Sequence, residues 1–263
     1  MLNKSKLKLI ASLQRKKSRD EEGLFVIEGD KIVREFLGSE MKIMTLIAIP
    51  EFISSLSEEK LKLAGEVIPV SYDELKKASG LKAPHNAMAI VGMPKASLPV
   101  PVDTEELVAA LDFIQDPGNL GTIIRAAAWF GIKKIICSEN CVDLYNPKVI
   151  QATMGALLNV CVSYTNMSSF LKEASDLDVP VYGTLLEGNS VYSAELGKKG
   201  IILLGNESRG ISDELIPYIT CRLTIPKFTE ASRGIESLNA GMAASIIFSE
   251  FARRNIKHEE FHQ

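Results

Sequence analysis

Beyond residue 104, six short apolar runs alternate with helical patterns, and this alternation constrains the fold more than any other feature. The runs are Leu107–Ile114, Lys134–Cys137, Val160–Tyr164, Pro180–Leu185, Gly200–Leu204 and Arg222–Ile225. Helical spacings fall between them at about Leu120–Phe130, Pro147–Leu158, Ser168–Leu177 and Asp213–Tyr218. A strand that is apolar on both faces must be covered on both, and intervening helices supply that cover. The expected class is α/β with a mostly parallel sheet.

A second unit is expected ahead of it. The stretch "MPKASLPVPVDT" carries Pro94, Pro99 and Pro101, which remove backbone donors and favour extended chain, so residues 94–104 read as a linker. Residues 1–93 then form a small α/β domain, with strands at Leu24–Ile27, Ile43–Ile49, Val67–Val70 and Ala87–Val91. Helices are expected at Lys31–Leu37, Glu58–Leu63 and Tyr72–Ala78, with a basic helix in front. Residues 105–263 form the second domain.

Composition excludes several function classes. The 263 residues are 46% hydrophobic and 24% charged, ample for a core, yet no apolar run reaches the ~18 residues needed to span a bilayer. The opening "MLNKSKLKLIASLQRKKSR" is too charged for a signal peptide, so a cytoplasmic protein with no membrane partner is expected. Cys137 and Cys141 lack a nearby histidine or second pair, and His258 and His262 sit in a polar tail; no metal site is expected. The cysteines read as reduced, mostly buried thiols.

Net charge is −3, but the first 19 residues hold seven basic groups and no acidic one: Lys4, Lys6, Lys8, Arg15, Lys16, Lys17 and Arg19. They form either a solvated helix face or a phosphate-contacting RNA patch.

The familiar nucleotide and hydrolase signatures are missing. There is no G-x-G-x-x-G after a strand, no G-x-x-x-x-G-K-[ST] and no G-x-S-x-G, and the chain has only three histidines. Polar, glycine-bearing loops nonetheless follow four of the strands: "QDPGNLG", "LLEGN", "GNESRG" and "IPKFTEASRGIESLN". The carboxyl ends of parallel strands are where such sheets bind ligands.

Three of these segments resemble one family. "DFIQDPGNLGTIIRAAAWFG" (Asp112–Gly131), "LLGNESRGIS" (Leu203–Ser212) and "TIP…SLNAGMAASI" (Thr224–Ile246) resemble the three motifs of the SpoU/TrmH class of SPOUT RNA 2′-O-ribose methyltransferases, in the same order. The leading domain resembles the ribosomal-protein-like RNA-binding domain that many members carry. The resemblance implies S-adenosyl-L-methionine as cofactor, a homodimer, a C-terminal trefoil knot and an RNA substrate, ribosomal in preference to transfer RNA.

It also assigns residues. Arg125 is implied as the catalytic arginine and Asn119 as its organiser; on local grounds alone Asn119 reads as an N-cap and Arg125 as a surface cation. A guanidinium is a poor proton acceptor, so alignment of the ribose is the role expected of Arg125. Glu207 is implied beside the transfer site, as acceptor or orienting group. Ser237 and Asn239 are implied as catalytic-site polar groups, with Ser237 also an N-cap candidate. On local grounds, apart from the resemblance, Ser212 could cap the helix that follows it. The cofactor is implied at Gly205, Ile225 and Leu238, with Leu185 added from its strand end.

Two features depart from the family pattern. Ser208 stands where glycine is more usual, and the connection Lys227–Glu236 is long and adds Lys227 and Arg233. The competing function is a non-catalytic RNA-binding or ribosome-assembly protein on the same scaffold.

Overall fold

The computed structural model describes residues 2–94, 102, 105–228 and 237–255. Most of the expected linker, Arg233 with the greater part of the long connection, and His258 and His262 therefore lie outside the described residues. In chain order the elements are α1 (Lys4–Ser12), α2 (Lys16–Glu22), β1 (Leu24–Glu28), α3 (Asp30–Leu37), β2 (Ile43–Ala48), α4 (Pro50–Ser54), α5 (Glu58–Lys62), β3 (Val67–Pro69), α6 (Tyr72–Ala78) and β4 (Ala87–Gly92). Then come β5 (Leu107–Leu111), α7 (Pro117–Trp129), β6 (Lys134–Ser138), α8 (Pro147–Thr153), β7 (Cys161–Thr165), α9 (Met167–Asp176), β8 (Val181–Ser190), β9 (Gly200–Leu204), β10 (Cys221–Thr224) and α10 (Ala240–Asn255).

Two compact units result: Met1–Ser97 with Asp143–Leu158, and Leu98–Val142 with Asn159–Gln263. The first differs from the sequence expectation, which placed residues 143–158 wholly in the second domain. The reason is apolar burial. Ile150 of α8 is buried in the same core as Phe25, Ile27, Val33 and Phe36, and Tyr145, Leu157 and Leu158 pack against that core.

The leading sheet runs β1-β4-β2-β3, with β4 antiparallel to both of its neighbours. Side chains alternate across it as a pleated strand requires. Phe25, Ile27, Ala87, Ala89 and Val91 face the core built with α3, α4 and α8, while Val26, Met88 and Ile90 face Ile10, Leu13 and Leu75 on the other side. The expected basic front helix is two helices, broken between Ser12 and Lys16.

Arg19 is a correction to the proposed RNA patch. It is only 2% exposed, donates to the Leu13 carbonyl at 2.9 Å and is ion-paired with Asp143, so no phosphate can reach it. Removing one partner of a buried pair typically costs about 3–5 kcal/mol, because the other charge is left uncompensated. Asp143→Ala is therefore expected to strip hydrogen-exchange protection from α2 and α8; protection equal to wild type would show the pair to be idle. Lys6 is also engaged, on Glu66 at 2.7 Å and on Thr45. Lys4, Lys8, Arg15, Lys16 and Lys17 remain exposed.

The second sheet is wholly parallel, in the order β10-β8-β9-β5-β6-β7. From β5 the chain proceeds outward through β6 and β7, then returns to lay β9, β8 and β10 on the other side. The order thus reverses at β5 and β9, where a doubly wound sheet leaves a crevice at the carboxyl ends of its strands. One face buries Val108, Ala110, Ile136, Val181, Ile201 and Leu203 against Phe170, Leu171 and Ala174 of α9. Between Gly183 and Asn189, β8 arches away from its register with β10.

The C-terminal helix secures the loop after this arch. Glu250 accepts from Arg253 at 2.7 and 2.9 Å and from Arg254 at 2.9 Å, and Arg254 donates in turn to the carbonyls of Ala194 and Tyr192. The Arg253 hydrogen bond, then that of Arg254, lowers the Glu250 carboxyl to about 2 against burial that would raise it. A depressed carboxylate contributes stability above its unfolded value of 4.5 and loses it as pH falls through about 2. Exchange protection of residues 191–197 is thus expected to decline between those limits in the wild type, and to be flat over them in Glu250→Gln. No helix among the described residues is long and apolar enough to cross a membrane.

Candidate active site

The site is assembled at the reversal point by three loops. The first leaves β5 and enters α7, whose N-cap is Asp116: its carboxylate accepts from the Asn119 amide N–H at 2.8 Å. Asn119 is therefore not the cap, and its side chain is available elsewhere. It is 8% exposed and donates through Nδ2 to Glu207 Oε1 at 2.8 Å.

The second loop follows β9. Asn206 and Gly210 exchange backbone hydrogen bonds of 2.9 and 2.8 Å, closing a tight ring that carries Glu207 at its tip. A Cβ on Gly205 would stand 2.3 Å from the Gly210 carbonyl carbon, so closure of this ring requires a residue without a side chain there. Asn206 holds the ring to the first loop, donating through Nδ2 to the Phe113 carbonyl at 3.0 Å. Asp112, 4% exposed, accepts from both the amide and the hydroxyl of Ser212 at 2.8 and 2.6 Å. The Ser212 hydroxyl is spent on Asp112 and makes no capping bond, contrary to its expected role; the turn after it is a 3-10 helix, Asp213–Tyr218.

The third loop leads into α10. Asn239, not Ser237, caps this helix, its Oδ1 accepting from the Met242 amide at 3.2 Å. Asn239 Nδ2 donates to Glu207 Oε1 and to Asn119 Oδ1, each at 2.7 Å, and the Ala240 amide donates to Glu207 Oε1 at 2.8 Å. One carboxylate oxygen thus gathers three donors, from the starts of α7 and α10, and its charge also suits the positive end of the long helix α10. Ser237 donates to the Glu207 carbonyl at 3.2 Å. Glu207 is exposed, and its Oε2 accepts no hydrogen bond among the described residues.

Arg125 stands apart from this node. At 3.6 residues per turn, six positions rotate it by about 240° from Asn119. It lies on the exposed line of α7 with Thr122 and Trp129, and makes no hydrogen bond or ion pair among the described residues. The structure therefore does not join Arg125 to Asn119, the residue expected to organise it.

Two of the implied cofactor residues, Gly205 and Ile225, lie just past the carboxyl ends of β9 and β10, whereas Leu185 lies within β8 and Leu238 just before α10. Leu185 is half-buried on the β8 arch, Gly205 follows β9, and Ile225, half-buried, follows β10; Leu238 is 39% exposed. Apolar side chains left partly uncovered beside strand-end backbone fit the flat adenine of S-adenosyl-L-methionine. A separate recess of about 250 Å³, lined among others by Glu106, Leu107, Lys133 and Phe251, opens at the amino ends of β5 and β6, the opposite end of the sheet.

One feature here was not singled out from the sequence. Phe113 has φ 58°, a left-handed conformation that costs a side-chain-bearing residue about 1–3 kcal/mol. It is held there by the Asn206 bond and by its own amide, which donates to Ser138 Oγ at 3.0 Å. The guanidinium of Arg209 lies over its ring, 4.7 Å from the centroid. Cys137 and Cys141 are buried free thiols beneath this loop, with the Ile114 amide donating to Cys141 Sγ at 3.3 Å; Cys161 is exposed.

Residues 106–249 match the family model of the SpoU rRNA methylases, which accounts for every loop of the site. The chain belongs to the SpoU rRNA methylase family. Residues 4–89 match an MRM3-like substrate binding domain. This SpoU-family chain is similar, at 37% identity and a TM-score of 0.85, to a putative RNA methyltransferase of the TrmH family from Porphyromonas gingivalis; the match covers 97% of this chain and 99% of the other. It is also similar to an AdoMet-bound rRNA methyltransferase from Sinorhizobium meliloti, at 28% identity and a TM-score of 0.84 over 98% and 97% of the two chains. The 23S rRNA (guanosine(2553)-2′-O)-methyltransferase RlmP of Bacillus subtilis is 28% identical over 92% of this chain and 94% of its own length. The family resemblance read from the three motifs is borne out.

Proposed function

We propose that this SpoU-family protein transfers a methyl group from S-adenosyl-L-methionine to a ribose 2′-hydroxyl of ribosomal RNA. The observation that carries the reading is the Glu207 node, which draws the three motif loops onto one carboxylate oxygen and leaves the other open. The names of the full-length relatives support ribosomal RNA over transfer RNA.

When bound, the cofactor supplies an electrophilic methyl group on a sulfonium. Leu185, Ile225 and Leu238 would hold its adenine, and the backbone at Gly205 its polar edge. Transfer also requires the ribose oxygen to be aligned and its proton to leave. Glu207 Oε2 would accept that proton, while the three bonds to Oε1 keep the carboxylate fixed. Asn119 and Asn239 hold Glu207, and Ser237 steadies the ring behind it. Arg125 presents a forked cation to the ribose and its phosphate. Lys4, Lys8, Arg15, Lys16 and Lys17 are the basic groups through which the leading domain would meet RNA.

A homodimer, a trefoil knot and cytoplasmic residence belong to the same reading. For the dimer, α7 and α10 pack closely at Gly241 on Thr122 and leave Trp129 83% and Met242 57% exposed, an apolar face that a second copy would cover. For the knot, β10 lies beside β8 while Arg254 and Asn255 of the following helix grip the loop at residues 191–197.

The deciding experiment supplies labelled methyl donor to unmodified ribosomal and transfer RNA, then hydrolyses the product in alkali. Label in surviving dinucleotides is expected from ribosomal RNA, because a 2′-O-methyl group blocks cleavage at its own nucleotide. Label in mononucleotides would overturn the ribose assignment. Absence of cofactor binding would favour a non-catalytic scaffold.

A further inference from the structure

The pair Phe113–Arg209 has no task in the chemistry above, yet the chain strains its backbone to present it. Glycine is the residue that a left-handed position favours. Phe113 occupies such a position, and packing does not account for it, since its ring is only half-buried. Three side chains fix the position: Ser138 and Asn206 bond its amide and carbonyl, and Arg209 covers its ring. Arg209 is itself anchored, its amide donating to Asn206 Oδ1 at 3.1 Å, and it is exposed with no ion pair among the described residues.

The outer layer of this stack is thus a planar cation open to solvent, backed by an aromatic ring. Its location is close to the chemistry. Arg209 is two residues from Glu207, so their Cα atoms are at most ~7.6 Å apart. Phe113 immediately follows Asp112, the residue that braces the Glu207 ring through Ser212. Unstacked RNA bases are held on aromatic rings and on arginine planes, which recognise the π-face present on every base.

We propose that Phe113 and Arg209 form a stacking platform for a nucleobase of the RNA substrate, next to the ribose that is methylated. The inference rests on the RNA-methyltransferase reading and adds to it the surface that holds a base rather than the backbone. A lone surface arginine would contact phosphate and be indifferent to the base; a ring-backed guanidinium is not.

The test measures equilibrium binding of a fluorescein-labelled single-stranded RNA of mixed sequence, and of the same strand with its central nucleotides made abasic, to the full-length protein. Wild type is expected to prefer the base-bearing strand about tenfold, the order of one stacked base. Phe113→Gly removes the ring at a position glycine favours, and its melting temperature is expected to be no lower than wild type. Arg209→Lys keeps the charge and loses the plane. Both variants are expected to lose the preference, to keep their affinity for the abasic strand within about twofold, and to bind S-adenosyl-L-methionine as before.

A wild type with no base preference, or a preference that survives Arg209→Lys, overturns the platform. So does a marked fall in the melting temperature of Phe113→Gly, which would make the ring a packing element. Methyl transfer assayed alongside separates the two readings: transfer with no base preference removes the platform alone, and base preference with no transfer removes the enzyme reading alone.

Discussion

Replacing Glu207 by glutamine is expected to lower single-turnover methyl transfer about 10²-fold or more, while the melting temperature stays within a degree or two of wild type. The two oxygens of this side chain have different surroundings. Oε1 accepts from Asn119, Asn239 and the Ala240 amide, and a glutamine carbonyl can accept the same three bonds. Oε2 becomes an NH₂ group and can no longer take a proton, a function worth about 10²–10⁴-fold where it operates. Glu207→Ala removes both. It leaves three donors without their common acceptor and is expected to be slower still, with weakened protection at the start of α10. If Glu207→Gln is fully active and Glu207→Ala is not, the residue is a clamp and some other group or solvent receives the proton. If both are active, the node is not part of the site.

Arg125→Ala is expected to give an equally large loss by a different route. Arg125 is exposed and makes no bond among the described residues, so its removal should leave stability within about 0.5 kcal/mol of wild type. Misplacement of the reacting groups by an ångström can cost 10²-fold, and that is the loss expected in kcat with saturating RNA. Arg125→Lys should recover little, since a lysine ammonium keeps the charge but not the two-pronged geometry. An alanine variant that retains kcat and raises only KM for RNA would make Arg125 a binding cation. Cofactor affinity should be unchanged in either variant.

Much of this architecture was legible in the sequence because periodicity reports burial directly. The strands β9, β4 and β5 are apolar at nearly every position, and their placement agrees with the structure to within a few residues. The motif residues could be named but not arranged. Asn119 reads equally well as a cap until Asp116 is seen to hold that place, which leaves the Asn119 side-chain Nδ2 to donate to Glu207. The separation of Asn119 from Arg125 follows from helical geometry alone and was available in the spacing. The burial of Arg19 was not, because its partner Asp143 is remote in sequence and the basic run around it is indistinguishable by composition. The strained Phe113 left no local signal either: phenylalanine beside an apolar run reads as one more strand residue.

The passage of residues 143–158 into the leading unit bears on how such an enzyme can be altered or acquired. The chain crosses between its two units three times, at 97–98, 142–143 and 158–159. A protease that cuts only between the units' first crossing points leaves the fragments associated through Ile150, Tyr145, Leu157 and Leu158, seated in the leading core. A deletion ending near residue 97 strips the cover from those same side chains and leaves a gap-free sequence with a sticky excursion in its middle. Exchange of the leading domain between relatives would succeed only if this excursion travelled with it. The leading unit is therefore discontinuous in sequence, its core completed by a segment that lies between two strands of the second sheet.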